Sequence, residues 1–319
     1  MNAQMFDVEV ASKAWLADDI VSIVLVRSEG VELPTFTAGS HIDVHLAEGV
    51  IRQYSLWNNP SDTHRYCLGV LEETGGRGGS KMVHQLRTGD KLKISAPRNN
   101  FSLHDDAKHS LLIAGGIGVT PILSMASALH ESGAEFTLHY CTRSPERMAF
   151  QQLLDSCEFA DRVHLHFDNG ADEQRFDIGS LAEPPEVGTH LYVCGPAGFM
   201  DAVLGAADSE WPPHTVHREY FSADVNEPEG GNQAFRVQVK STGDILEVTP
   251  EQSIVEALAG VGIDIPTACG QGVCGTCITP VLQGKPDHRD LVLTEEEHAE
   301  NLMILCCSRS LSDLLVLDL

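Results

Sequence analysis

The sequence is poor in basic residues and aromatics, and it has no long apolar run. Lysine and arginine number 21 against 46 aspartates and glutamates, which gives a formal net charge of −25. So acidic a surface repels phosphate backbones, and no nucleic-acid partner is expected. Apolar runs such as Leu111–Ala114 are far too short to span a bilayer, so no membrane partner is expected either. The first residues, Met1-Asn2-Ala3-Gln4-Met5-Phe6-Asp7, lack a basic segment followed by an apolar one, which points to a cytoplasmic protein. With 42% hydrophobic and 21% charged residues over 319 positions, the composition suits a soluble globular chain of two or three domains.

The pattern along the chain divides it. Residues 1–103 read as β-rich: Phe6–Val10, Ile20–Val26 and His41–Leu46 are β-branched or alternating, with turn residues at barrel-like spacing and one short helix near Lys81–Leu86. Residues 104–223 read as an α/β unit. Leu111–Ala114 has the look of a buried parallel strand, a glycine turn and a helix through Ile122–His130 follow, and Phe136–Tyr140 and Leu191–Cys194 repeat the theme. Residues 224–233 are polar with Pro and Gly and read as a linker. Residues 234–319 form a small β-plus-helix domain. It has a hairpin of Phe235–Lys240 and Ile245–Val248, and a capping box at Ser253-Ile254-Val255-Glu256.

Five of the nine cysteines lie between Cys269 and Cys307, a clustering that suits a metal centre better than a disulfide framework. Cys269, Cys274 and Cys277 have the spacing C-x4-C-x2-C, and Cys306 and Cys307 follow at a distance. Structural zinc sites favour two separated C-x2-C pairs, and only one exists here. The spacing is that of a plant-type ferredoxin, in which four thiolates hold two irons. Gly270, Gly272 and Gly275 let the backbone wrap such a cluster and turn its amides toward sulfur. On spacing alone, either Cys306 or Cys307 serves as the fourth ligand.

Two further patterns carry chemistry. Gly115-Gly116-Ile117-Gly118-Val119-Thr120-Pro121 follows a strand and opens a helix, where glycines admit a pyrophosphate. Cys194-Gly195-Pro196 supplies a second turn at a strand end, and ligands of open α/β sheets bind at such ends. Arg52-Gln53-Tyr54-Ser55 offers a guanidinium for phosphate, a ring for stacking and a hydroxyl for a flavin edge. Gly78-Gly79-Ser80 adds a glycine turn into a helix, whose amides suit a phosphate.

The order of these motifs resembles the phthalate dioxygenase reductase family over essentially the whole chain. The resemblance implies an antiparallel β-barrel flavin domain, an α/β nucleotide-binding domain and a C-terminal β-grasp plant-type ferredoxin domain. It implies FMN contacts for Arg52, Tyr54 and Ser55, and an FMN phosphate at Gly78, Gly79 and Ser80. Gly116, Gly118, Thr120 and Pro121 would face the NADH pyrophosphate and ribose. Cys194, Gly195 and Pro196 would lie near the nicotinamide, and Phe221 would cover the flavin ring. The ending Cys306-Cys307-Ser308-Arg309 is similar to the family's C-x-S-R, which selects Cys306 as fourth ligand of a 2Fe–2S cluster.

The implied activity is hydride transfer from NADH to FMN, then single electrons through the cluster to a Rieske-type terminal oxygenase acting on an aromatic acid such as phthalate or vanillate. The chemistry belongs to the cofactors, so no essential side-chain general base is expected. Arg143 and Ser144 stand where a 2′-phosphate could sit, and no acidic residue is obviously placed to select the free hydroxyl, so the NADH preference rests on the resemblance. The same electron chain could serve an oxygenase of carnitine or another quaternary amine. A redox-sensing binding protein is a further alternative, disfavoured by the acidic charge and the lack of a basic helix. A monomer is expected of a mobile electron carrier.

Overall fold

The computed structural model describes residues 4–76, 78–222 and 232–319, arranged as two compact units, Met1–Phe221 and Ser222–Leu319. The polar stretch read as a linker falls mainly on 223–231, outside the described residues. Among the described residues no helix is long and apolar enough to cross a membrane.

The first unit begins with a six-stranded antiparallel barrel. Its strands are β1 (Met5–Ala17), β2 (Ile20–Val26), β3 (His41–His45), β4 (Ile51–Ser55), β5 (Tyr66–Leu71) and β6 (Lys91–Ser95), in the order β4-β3-β6-β1-β2-β5. A bridge between Leu56 and Leu68 links the ends of the order and closes the barrel. Helix α1 (Gly79–Gln85) lies between β5 and β6. Alternation decides what faces inward. Val21, Ile23 and Leu25 join Val8, Val10, Ile42 and Ile94 inside the barrel, while Ile20 on the other face joins a second core.

That second core belongs to an all-parallel sheet. Its strands are β7 (His109–Gly115), β8 (Glu135–Thr142), β9 (Val163–Phe167), β10 (Thr189–Cys194) and β11 (Val216–Glu219), in the order β11-β10-β7-β8-β9. Helices α2 (Val119–Ser132), α3 (Gln151–Ser156) and α4 (Ala197–Ala207) connect them. The continuous apolar run of β7 and the wholly buried β10 follow from burial on both faces. Leu112, Val119, Ile122, Tyr140 and Tyr192 pack together with Ile20, Ala38 and Phe101 from the barrel side, so one apolar cluster joins barrel to sheet.

In the second unit, β12 (Phe235–Val239) and β13 (Ile245–Val248) form a hairpin, followed by α5 (Ile254–Gly260). Then come β14 (Ile278–Gln283), β15 (Pro286–Asp287), α6 (Glu295–Ala299), β16 (Leu302–Ile304), β17 (Arg309–Ser310) and β18 (Leu314–Leu317). The main sheet runs β13-β12-β18-β14-β16, with β12 and β18 parallel. Ser253 caps α5 by accepting from the Glu256 amide, and the Glu256 carboxylate returns to the Ser253 amide. Ile254, Ala257 and Leu258 of α5 then pack on Val237, Val248 and Leu315, as in a β-grasp fold.

Leu112 is fully buried at the junction core, so Leu112→Ala should cost about 3 kcal/mol in urea unfolding of the first unit. Val187, 90% exposed, should tolerate the same truncation within about 0.5 kcal/mol.

Candidate redox site

At the carboxyl end of the parallel sheet, two turns meet through backbone alone. A Cβ on Gly118 would lie 2.7 Å from the Gly195 amide nitrogen and collide with the Cys194 carbonyl. A Cβ on Gly195 would lie 3.1 Å from the Gly115 Cα, and the Phe199 ring covers both glycines. Glycine is required here for space. At Gly116 it is favoured by backbone shape, since φ is +53°. Gly115, Gly118, Cys194 and Gly195 thus meet, with Gly116 and Pro196 next to them in the chain. Thr120 joins them by donating its hydroxyl to the Ile117 carbonyl at 3.0 Å, and Pro121 occupies the first turn of α2, where no amide is missed.

The barrel reaches the same place. The Thr120 methyl would be 2.8 Å from a Cβ on Gly69 of β5. Ser55, at the end of β4, donates its hydroxyl to Oε2 of Glu219 at 3.3 Å, and Nδ1 of His41 is 3.9 Å from Oε1. Glu219 ends β11, next to Cys194 in register. Its side chain keeps only 12% of its exposure, and removal from water pushes its carboxyl up to about 8 against the Ser55 hydrogen bond that lowers it. Burial therefore favours the protonated form of Glu219. Burial, with Glu219 adding to it, also pushes the fully buried Cys194 thiol well up, so Cys194 is no nucleophile.

Arg52 and Tyr54 lie on the same strand as Ser55. The Arg52 side chain runs so close over Gly79 that a Cβ there would be 2.9 Å from its Cδ. Gly78 is left-handed at φ +82°, and the Ser80 hydroxyl accepts from the Glu73 amide at 3.0 Å. Arg52 and the Gly78-Gly79-Ser80 turn are thereby brought together. Burial raises the Tyr54 phenol, so its ring is a neutral face. Phe221 is 40% exposed, which rules out ordinary core packing. Arg143 and Ser144 follow β8, and the Asp168 amide binds the Thr142 carbonyl at 3.0 Å, so an acidic residue does stand at that edge.

Glu219, His41 and Asp168 were not found from sequence. Glu219 alone left a signal in the sequence: an acidic residue two positions before Phe221.

In the second unit Cys269, Cys274 and Cys277 are buried on a loop whose glycines 270, 272 and 275 all have positive φ. The Cys269 sulfur hydrogen-bonds with the thiols of Cys274 and Cys306, and that of Cys306 also with Cys277. These contacts hold Cys269 far below the usual thiol range and push Cys306 far above it. The Gln271 amide donates to Cys269 at 3.3 Å. Cys307 meets the Cys306 thiol as well, and it otherwise lies toward Gly272, the Ile304 carbonyl and the Ser308 hydroxyl. Four converging sulfurs with an amide aimed at one of them suit an iron–sulfur cluster.

The loop is braced from outside. The Leu291 amide bonds the Gly272 carbonyl at 3.0 Å, and buried Asp290 accepts from the Leu293 amide at 2.9 Å. Arg309 donates to the carbonyls of Gln252, Gln233 and Thr249 at 2.8–3.0 Å and lies over the Phe235 ring, tying the chain end to the entry hairpin.

The family described as 2Fe-2S iron-sulfur cluster binding domain matches residues 237–311. The dimethylamine monooxygenase subunit DmmA-like N-terminal domain matches residues 90–214. The vanillate O-demethylase oxidoreductase of Pseudomonas sp. (strain HR199 / DSM 7063) is 49% identical over 99% of this chain and 100% of its own. The solved phthalate dioxygenase reductase, described as a modular structure for electron transfer from pyridine nucleotides to [2Fe-2S], is 39% identical. It covers 99% of this chain and 98% of its own, with a TM-score of 0.74. An intact type IV self-sufficient cytochrome P450 monooxygenase is 39% identical with a TM-score of 0.88, and this chain spans 41% of that longer one. The chain belongs to the phthalate dioxygenase reductase family, and its second unit is a 2Fe–2S cluster binding domain.

Proposed function

We propose that this chain is the reductase component of a Rieske-type oxygenase system whose substrate is an aromatic acid, vanillate first among candidates. The observation that carries the reading is the meeting of Ser55 with Glu219, which joins the flavin edge of the barrel to the nucleotide end of the sheet. The relatives named for vanillate and phthalate oxygenation supply the substrate class. A second reading, an oxygenase of an amine, is favoured by the dimethylamine monooxygenase family match over residues 90–214.

In this reading Arg52 neutralises the FMN phosphate beside Gly78, Gly79 and Ser80, Tyr54 packs on the flavin, and Ser55 donates to its edge. Gly116, Gly118, Thr120 and Pro121 admit the NADH pyrophosphate and ribose. Cys194, Gly195 and Pro196 border the nicotinamide, and Phe221 covers the flavin. Cys269, Cys274, Cys277 and Cys306 ligate the irons. Bound FMN supplies the exchange between hydride chemistry and single-electron transfer. The neutral Glu219 carboxyl adds no anion where hydride must arrive, and its contact with Ser55 orients that hydroxyl. The domain limits of 1–103, 104–223 and 234–319, with the linker 224–233, are retained within this reading. So are a cytoplasmic location and a monomer, which a net charge of −25 favours by keeping copies apart.

The reading is tested by mixing the purified reductase with NADH and a vanillate, phthalate or amine oxygenase and measuring product. Coupled vanillate demethylation is expected; NADH oxidation that couples to none of them would overturn it. Arg52→Ala should weaken FMN binding by about 2 kcal/mol, roughly thirtyfold, in a flavin-release titration. Cys306→Ser should abolish the 2Fe–2S absorbance while Cys307→Ser keeps it. The raised Glu219 carboxyl stabilises the fold fully below its unfolded value of 4.5, and that contribution is lost as pH rises toward about 8. Glu219→Gln should therefore flatten stability against pH in that window, a change on the order of a few kcal/mol at its upper end.

A further inference from the structure

Three imidazoles stand together at the end of the parallel sheet away from the glycine turns. His190 is the second residue of β10, His217 the second of β11, and His104 lies in the segment leading into β7. His217 pairs in register with Tyr192, two residues before the Cys194–Glu219 pair. The redox site makes no use of these histidines.

Their ring nitrogens lie within 4.8 Å of one another. Nδ1 of His190 is 3.0 Å from Nε2 of His217. Two nitrogens bound to one tetrahedral zinc at about 2.0–2.1 Å are separated by roughly 3.3–3.4 Å, so the rings need part by only a few tenths of an ångström to become two ligands. The far nitrogen of His190, Nε2, faces the Asp106 carboxylate at 3.9 Å. The negative charge on that side favours a proton on Nε2, which would leave the Nδ1 lone pair turned toward His217, as in a metal-bound histidine. The His104 backbone amide donates to the Tyr192 hydroxyl at 2.9 Å, which fixes the segment, and its ring stacks on His217 with centroids 4.2 Å apart. An N–H···N bond between His190 and His217 would account for two of the three rings and for neither His104 nor Asp106.

We propose that His104, His190 and His217 form a binding site for a divalent transition metal, zinc by preference, separate from the iron–sulfur cluster. The ligands are three imidazoles, with Asp106 behind His190 and one position open to water. His190 is buried, His217 half-buried and His104 exposed, so the metal enters from solvent and ties the segment before β7 to β10 and β11.

The test uses tag-free holoprotein with its flavin and cluster loaded, titrated with Zn²⁺ against a chromophoric chelator while the visible spectrum is followed. One zinc per chain is expected, with iron retained. His217→Gln and the exposed His104→Ala should each lose it, and Asp106→Asn should weaken it about tenfold. NADH-dependent cytochrome c reduction by the two histidine variants should match the parent, showing that fold and cofactors survive. Cu²⁺ bound to the oxidised holoprotein should show nitrogen hyperfine coupling that disappears in the same variants. No zinc uptake, uptake that persists in both histidine variants, or uptake that displaces iron would each overturn the proposal.

Discussion

The backbone of Gly118 lies against the Cys194 carbonyl, and any side chain there would wedge the ends of β7 and β10 apart. The rest of the first unit's chemistry follows from that contact. It aligns two strand ends so that the turn after β7 opens toward the same space as Cys194-Gly195-Pro196. It also sets the position of β11, which is hydrogen-bonded to β10 and delivers Glu219 beside Cys194. Because one apolar cluster runs from Leu112 and Tyr192 into Ile20 and Phe101, the barrel cannot shift without opening that core. Ser55 is thereby held at 3.3 Å from Glu219.

The electrostatics of this junction are those of deliberate neutrality. In a chain of net charge −25, a further ionised carboxylate between the barrel and the sheet would add to the repulsion of anionic ligands. Burial raises the Glu219 carboxyl and the Cys194 thiol alike, and so favours their uncharged forms. Both groups shape the pocket without charging it. The cost is a carboxyl whose contribution to folding declines as the medium becomes more alkaline.

The second unit solves a different problem. Three sulfurs must come from one short loop, so its glycines take left-handed conformations and the loop has little regular structure to support it. Support comes from its surroundings: Leu291 on the Gly272 carbonyl, and Arg309 on three carbonyls near the entry hairpin. The arginine of the Cys-x-Ser-Arg ending thus gains a structural reason, since its guanidinium replaces the water that those buried carbonyls would otherwise need.

Much of the fold was legible in the chain. β2 spans Ile20–Val26 and α5 starts after the Ser253–Glu256 capping box, as alternation and cap chemistry had indicated, because both signals are local. Strands β9 and β11 were missed, since Val163–Phe167 and Val216–Glu219 interleave histidines with apolar residues and show no long apolar run. The sequence by itself determined the cluster loop, the glycine turns and the arginine strand, because spacing and residue type carry those chemistries. Only the tertiary structure decided that Glu219 meets Ser55 across 164 positions and that three histidines from separate segments share one corner. Those outcomes depend on register between parallel strands and on the packing of barrel against sheet. Neither is written in any local stretch of sequence.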